Sequence, residues 1–283
     1  MDGDATLDRA DQKGKADWFR ARHQAAPVLL LPNVWDALSA RIFVEAGFEA
    51  LATTSGGVAW ALGYPDGERA PWSEVMAATA RIVRSAQVPV SADIEAGHGA
   101  TPAEVGAHVA EIIDTGVVGI NLEDGLHGGI RDIGDAAARL HAARDAAGKK
   151  GAPIVINARC DIFHLQLGEE HTRFQATVER CKAYLAAGAD CVYPFGLRDA
   201  AVIAHFVKAV GAPVNVTGRP GMPDTAALGR IGVARITIAS APALVMMSGI
   251  QKLAAALRAS GSFEMLSAPL RHPDAQKLFQ AKG

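Results

Sequence analysis

The feature that most constrains this chain is a strand-then-helix unit that recurs eight times along its 283 residues. Short runs of β-branched and small apolar residues fall at 28–31, 50–54, 90–93, 119–122, 154–157, 191–193, 214–216 and 235–238. Each is followed by a segment with helical periodicity, at 36–46, 72–85, 102–115, 135–147, 169–187, 199–210, 225–228 and 242–259. The punctuation agrees: Gly47 closes the first helix, Pro71 or Ser73 opens the second, and Thr101 with Pro102 opens the third. The stretch T-S-G-G-V after the second run reads as an exit loop. βαβ crossovers generate parallel strands, and eight of them can close without leaving an edge. The predicted fold is therefore an α/β (β/α)8 TIM barrel, one domain over residues 1–283. An open doubly wound sheet is the alternative, but the first strand leads into N-V-W-D where a dinucleotide-binding sheet would carry G-x-G-x-x-G. Residues 1–27 read as an N-terminal helical segment, and residues 261–283 as a C-terminal helical extension long enough to cross to another subunit.

Charge narrows the partners. With 28 basic and 30 acidic residues the formal net charge is −2, so nothing recommends nucleic acid or an anionic membrane, and a small-molecule function is the default. Cys160, Cys181 and Cys191 are few, odd in number and not spaced as C-x-x-C, which argues against a disulfide framework or a structural zinc site. The charged N-terminal stretch M-D-G-D-A-T-L-D-R-A-D-Q-K lacks the apolar core of a secretory signal, so the expected compartment is the cytoplasm.

In a barrel the chemistry sits at the carboxyl ends of the strands, so the polar residues leaving each strand form one group despite their distance in sequence. Here they are Asn33 and Asp36, then Thr54, Ser55, Gly56 and Gly57, then Asp93 and Glu95, then Glu123 and Asp124, then Arg159 and Asp161, then Asn215. Residues two apart on an extended chain project to the same side, so Asp93 and Glu95 can converge, and with Glu123 they offer hard oxygen ligands suited to Mg²⁺ or Mn²⁺. The plainer alternative is a solvated strand end. Arg159 can receive a carboxylate through paired charge-assisted bonds, or can be held in an internal salt bridge to Asp161 or Glu123. Ser55, Gly56 and Gly57 present consecutive unobstructed N–H groups, the makings of an anion nest. No lysine lies at a strand end, which disfavours Schiff-base chemistry. His98, His127 and His164 follow the third, fourth and fifth strands as acid–base candidates. Cys160 alternates to the face opposite Arg159 and is not read as a nucleophile.

The motifs L-P-N-V-W-D-A-L-S-A, T-T-S-G-G-V-A-W-A-L-G-Y-P-D, A-D-I-E-A-G-H-G, G-I-N-L-E-D, I-N-A-R-C-D, P-V-N-V and G-V-A-R-I together resemble the isocitrate lyase and phosphoenolpyruvate mutase superfamily. The resemblance implies a Mg²⁺-dependent enzyme acting on a small α-oxo or related carboxylate. Asp93 resembles the principal metal residue, Glu95 and Glu123 those that hold its waters, and Asp66 in Y-P-D a further acid of that water shell. Ser55, Gly56, Gly57 and Arg159 look like the cradle for the carboxylate and oxo oxygens, and Asn215 like a residue near the distal part of the substrate. The resemblance also implies a homo-oligomer, a dimer or tetramer, often with the last barrel helix exchanged.

The chain departs from the family after the fourth strand. Where isocitrate and methylisocitrate lyases carry K-[KR]-C-G-H, with Cys as acid, it reads E-D-G-L-H-G-G-I-R-D, and the Lys- and Asn-bearing loop of the mutases is not recognisable. The leading expectation is a lyase that breaks or forms a C–C bond through an enolate-like species, using Arg159 and Glu123, with His127 as a replacement proton donor. Phosphonopyruvate-type P–C mutase or hydrolase chemistry is the second, and a non-catalytic oxo-acid and metal binding protein the third. The glycine-rich segment 125–132 is expected to move over the site, with His127 as donor or Arg131 facing a second anionic group.

Overall fold

The structure, a computed structural model, describes residues 8–126, 128–267 and 270–280. Eight parallel strand positions form its centre. The first is split by Pro32 into β1 (Leu29–Leu31) and β2 (Asn33–Val34); β3 (Leu51–Thr53), β4 (Val90–Asp93) and β5 (Gly119–Glu123) follow. A two-stranded antiparallel hairpin, β6 (Gly125–Leu126) and β7 (Gly129–Ile130), interrupts the series before β8 (Val155–Cys160), β9 (Cys191–Pro194), β10 (Asn215–Thr217) and β11 (Arg235–Thr237). Hydrogen bonding runs β2-β3-β4-β5-β8-β9 in one sheet and β1-β11-β10 in another. A bridge between Val192 and Val214 and the chain itself through Pro32 join the two, which closes the predicted barrel.

Alternation along the strands sorts the core. Ile120, Leu122, Ile156, Ala158, Val192, Val214, Val216 and Ile236 face outward into the apolar layer beneath the helices. The other face lines the barrel and is polar in its middle: Asn157 Nδ2 and Arg235 Nη2 both donate to Asn121 Oδ1, at 2.9 and 3.1 Å. α1 (Arg9–Arg22) shuts the amino-terminal end of the barrel by setting Phe19 against Leu29, Leu31, Ala50, Ala52, Val118 and Val155.

The helices begin where caps dictate. Asp36 forms a capping box with Ser39 at the start of α2 (Ala37–Glu45), and Thr101 forms one with Glu104 at the start of α5 (Pro102–Ile113). α4 (Trp72–Ala86), α6 (Ile133–Lys149), α8 (Glu170–Ala186), α9 (Ala200–Val210), α10 (Thr225–Arg230) and α11 (Ala241–Ser260) lie within a few residues of their expected spans.

Three segments differ from expectation. T-S-G-G-V is not a loop: Thr54 caps α3 (Ser55–Leu62), so Ser55, Gly56 and Gly57 form the first turn of a helix. Asp161 is followed by one helical turn, α7 (Ile162–Leu165). The segment after β5 is braced as a hairpin rather than open. The C-terminal extension returns to its own barrel, where α12 (His272–Leu278) meets α2 and Arg41 donates to the Leu278 carbonyl. Among the described residues no helix is long and apolar enough to cross a membrane.

Candidate active site

The carboxyl ends of β4, β5 and β8 meet in an acid-rich mouth. Registration alone brings them there, since Asp93 lies opposite Asn121 and Glu123 opposite Arg159. The Arg159 guanidinium is the hub. Its Nη1 meets Glu123 Oε2 at 2.6 Å, its Nε and Nη2 take both oxygens of Asp161 at 2.6 and 2.9 Å, and its Cζ stands 3.9 Å from the Phe195 ring centre. Both ion-pair partners considered for Arg159 from the sequence are therefore engaged. Burial opposes the charged guanidinium, but Glu123 and Asp161 more than offset it and its pKa goes up.

Asp93, at the end of β4, is partly exposed and accepts the Ser55 N–H at 3.2 Å, so the positive end of α3 points at this carboxylate. The α3 glycines permit close approach. A Cβ on Gly56 would stand 2.9 Å from Asp66 Oδ2 and 3.1 Å from Ser240 Oγ, and one on Gly57 would strike Thr54 and Trp35 at 2.7 and 2.8 Å. Asp66 thus lies beside the nest, on an exposed turn.

Glu95 is aimed by strain. It, Glu68 and His98 all adopt left-handed backbone with φ of 52°, 57° and 53°, an arrangement that persists only where surroundings enforce it. The Glu68 N–H donates to Glu95 Oε2 at 2.8 Å, the His98 N–H donates to Glu68 Oε1 at 2.6 Å, and His98 Nε2 lies 3.7 Å from Glu95 Oε1. Trp72 packs on both His98 and His108, with ring centres 5.0 and 4.9 Å away. Glu68 and this aromatic clamp had no sequence signal, because the groups that meet there come from two loops and from α4 and α5.

Excess negative charge marks the site. Burial pushes Glu95 up to about 8, with Asp66 and Asp93 adding to it. Burial also raises Glu123 to about 8 against the pull of Arg159, and it raises Asp93. A cavity of about 270 Å³ opens over Glu95 and Glu123, and Glu68, Asp161, Arg131, Arg159 and His164 are among the other residues that line it. Burial lowers the pKa of His164, whose ring rests on Phe195.

Other residues are placed elsewhere. Asp93 and the α3 turn are not among the residues that line this cavity. Asn215 does not reach the cavity either: it is fully buried inside the barrel, with its amide on Thr237 Oγ1 at 3.3 Å. Asp124 is a brace, accepting from Tyr184 at 2.6 Å, from Arg180 at 3.3 Å and from the Asp161 N–H at 2.9 Å. Cys160 is buried in the outer core, as alternation predicts. His127 lies outside the described residues.

The donor set fits a hydrated divalent ion better than a closed cage. Among the described residues no three His, Cys, Asp or Glu side chains converge as direct ligands. Each acid is instead tethered separately, Asp93 to Ser55, Glu95 to Glu68 and Glu123 to Arg159. Mg²⁺ keeps several waters and commonly takes one or two carboxylates plus substrate oxygens, so tethered, mutually repelling hard donors match it.

A closed parallel barrel with acids gathered around a paired arginine at its strand ends is a (β/α)8-barrel enzyme scaffold. The chain belongs to the isocitrate lyase/phosphoenolpyruvate mutase superfamily: the family model described as phosphoenolpyruvate phosphomutase matches residues 19–258. Members of this superfamily are lyases and mutases. An uncharacterised Mycobacterium tuberculosis protein is 33% identical over 254 residues, spanning 90% of this chain and 92% of its own length. An oxaloacetate decarboxylase of Ectopseudomonas mendocina is 30% identical over 234 residues, spanning 80% of this chain and 79% of its own. The crystal structure of a Burkholderia cenocepacia protein described as a candidate phosphonomutase superposes with a TM-score of 0.82 at 42% identity, covering 85% of this chain and 99% of that one.

Proposed function

We propose that this protein is a divalent-metal-dependent carbon–carbon lyase acting on a small 2-oxo or 2-hydroxy carboxylate. The observation that carries the reading is the meeting of Asp93, Glu95 and Glu123 around Arg159, with the N-terminus of α3 directed at Asp93. Asp93 would hold Mg²⁺, with Asp66, Glu95 and Glu123 reaching its waters. When bound, the ion supplies Lewis-acid polarisation and stabilises enolate charge as the bond breaks.

The chain's own groups do the remainder. In the first turn of α3 the Ser55 N–H is given to Asp93 and the Gly57 N–H to Thr54 Oγ1, which leaves the Gly56 N–H to receive a carboxylate or oxo oxygen. Arg159, fixed by Asp161 and stacked on Phe195, offers its remaining N–H donors to the carboxylate. Glu123, whose carboxyl is raised to about 8, can take up or release a proton near neutral pH. The oxaloacetate decarboxylase relative supports 2-oxo acid chemistry. Phosphonate P–C chemistry is the second reading, supported by the likeness to the Burkholderia protein. Turnover of oxaloacetate, 2-methylisocitrate, 2,3-dimethylmalate and phosphonopyruvate, with Mg²⁺ and after chelation, separates the two. Chelator-sensitive C–C cleavage is expected, and turnover of phosphonopyruvate alone would transfer the assignment to the second reading.

A homo-oligomer belongs to the same proposal. α11 buries only Ala243 while Leu244, Val245, Met246, Met247 and Ile250 are exposed, beside an apolar groove lined in part by Trp35, Ile42, Phe43 and Pro220. An apolar face this continuous is a protein contact surface.

A further inference from the structure

We infer that Arg131, at the base of the β6–β7 hairpin, is the specificity residue that receives a second anionic group on the substrate. The inference rests on the proposed oxo-acid site and adds the residue that reads the distal end of its substrate.

Two guanidinium groups line the cavity, and they differ in commitment. Arg159 already commits N–H donors on all three of its nitrogens to Glu123 and Asp161, which leaves two for a ligand. Among the described residues Arg131 has one distant ion-pair partner, Asp135, at 3.5 Å, and Arg139 already holds the same Asp135 oxygen at 2.9 Å. The Arg131 side chain is only 12% exposed, and its Nε is buried with no hydrogen-bond partner among the described residues. A buried guanidinium donor without an acceptor is costly, and native structures pair such groups.

Its backbone, by contrast, is fixed. The Arg131 N–H donates to the Asp124 carbonyl at 2.8 Å, and its own carbonyl accepts from Arg180 Nη2 at 2.8 Å. The base of the hairpin is thus tied to the Asp124–Tyr184 brace that also positions Asp161. A rigid base with an uncommitted charged head is a preorganised anion receptor. The acids of the cavity do not cancel it. Glu123 and Asp161 are engaged by Arg159, Glu95 is held by the Glu68 N–H, and the Glu68 carboxylate itself accepts the His98 N–H. A carboxylate cradled at Arg159 and the α3 turn therefore leaves Arg131 to meet the far end of a short chain.

The test is calorimetric binding in Mg²⁺ of racemic malate and racemic 2-hydroxybutyrate, which differ only in a distal carboxylate or methyl, with oxalate as a probe of the inner cradle. Wild type is expected to prefer malate by about tenfold or more, the worth of one charge-assisted pair. Arg131→Gln should lose that preference, Arg131→Lys should keep part of it, and oxalate and 2-hydroxybutyrate should bind all three proteins alike. Oxalate binding with the malate preference intact in Arg131→Gln overturns the inference and leaves the oxo-acid site standing. Absence of oxalate binding in folded wild type overturns the oxo-acid site and the inference with it.

Discussion

Arg159 holds Asp161, two residues further along the same chain, through two N–H bonds of 2.6 and 2.9 Å, with Asp161 only 5% exposed in its side chain. The grip fixes the plane of the guanidinium before any ligand arrives, and Lys cannot reproduce it because an ammonium lacks the fork. Arg159→Lys should lower stability by about 1–3 kcal/mol through the loosened buried pairs. It should also weaken oxalate binding at least about tenfold. Urea unfolding and calorimetry measure the two effects separately, and loss of stability alone would make Arg159 purely structural.

The two glycines of α3 should respond differently to the same methyl group. In Gly57→Ala the new Cβ meets the Thr54 methyl and Trp35 Cβ, atoms close to the backbone, and overpacking there should cost about 1–3 kcal/mol. In Gly56→Ala it meets the carboxylate end of Asp66 on an exposed turn, which can move aside. That variant should melt close to wild type yet bind Mg²⁺ and oxalate more weakly. Thermal melts with and without ligand distinguish them.

His23, far from the site, should make the protein acid-sensitive. Its Nδ1 lies 2.8 Å from the Phe19 carbonyl and its Nε2 is buried without a hydrogen-bond partner among the described residues. Burial, aided by Arg235, lowers its pKa to about 4 from the ordinary 6.5. Between those values the unfolded chain binds the proton and the folded chain does not, so stability is full above about pH 6.5 and falls as the pH drops toward 4, by up to about 3 kcal/mol. Other groups titrate in this window, so the informative quantity is wild-type stability minus that of His23→Gln. It should be flat above pH 6.5 and fall below it.

Val245 and Ile250 are 73% and 59% exposed on α11. Val245→Glu with Ile250→Glu should turn an oligomer into a monomer in light scattering, leaving far-ultraviolet circular dichroism unchanged because neither side chain enters the core. A monomeric wild type would refute the surface assignment.

Much of the barrel was legible because each strand is a short apolar run ended by polar residues and each helix carries its own punctuation, as at Thr101 and Pro102. The acids and Arg159 were legible for the same reason, since a barrel collects strand ends. α3 was hidden because Gly56 and Gly57 are poor helix formers, and only the Thr54 cap and the left-handed Gly63 that ends it betray the helix. Depth along the barrel axis was also hidden. Alternation turns Asn215 inward, but only three-dimensional register shows that it bonds Thr237 below the mouth. The role of Asp124 depended on Tyr184 and Arg180, 60 and 56 residues away, which no local pattern could bring together.

The proposed metal-dependent oxo-acid site is built on Asp93. Calorimetric titration of oxalate into wild type and Asp93→Ala, each with Mg²⁺ and after chelation, tests it most directly. Folded wild type is expected to bind oxalate only with Mg²⁺ present, and Asp93→Ala, equally folded by circular dichroism, is expected to bind it under neither condition. Oxalate affinity that is indifferent to Mg²⁺, or that survives unchanged in Asp93→Ala, would contradict it.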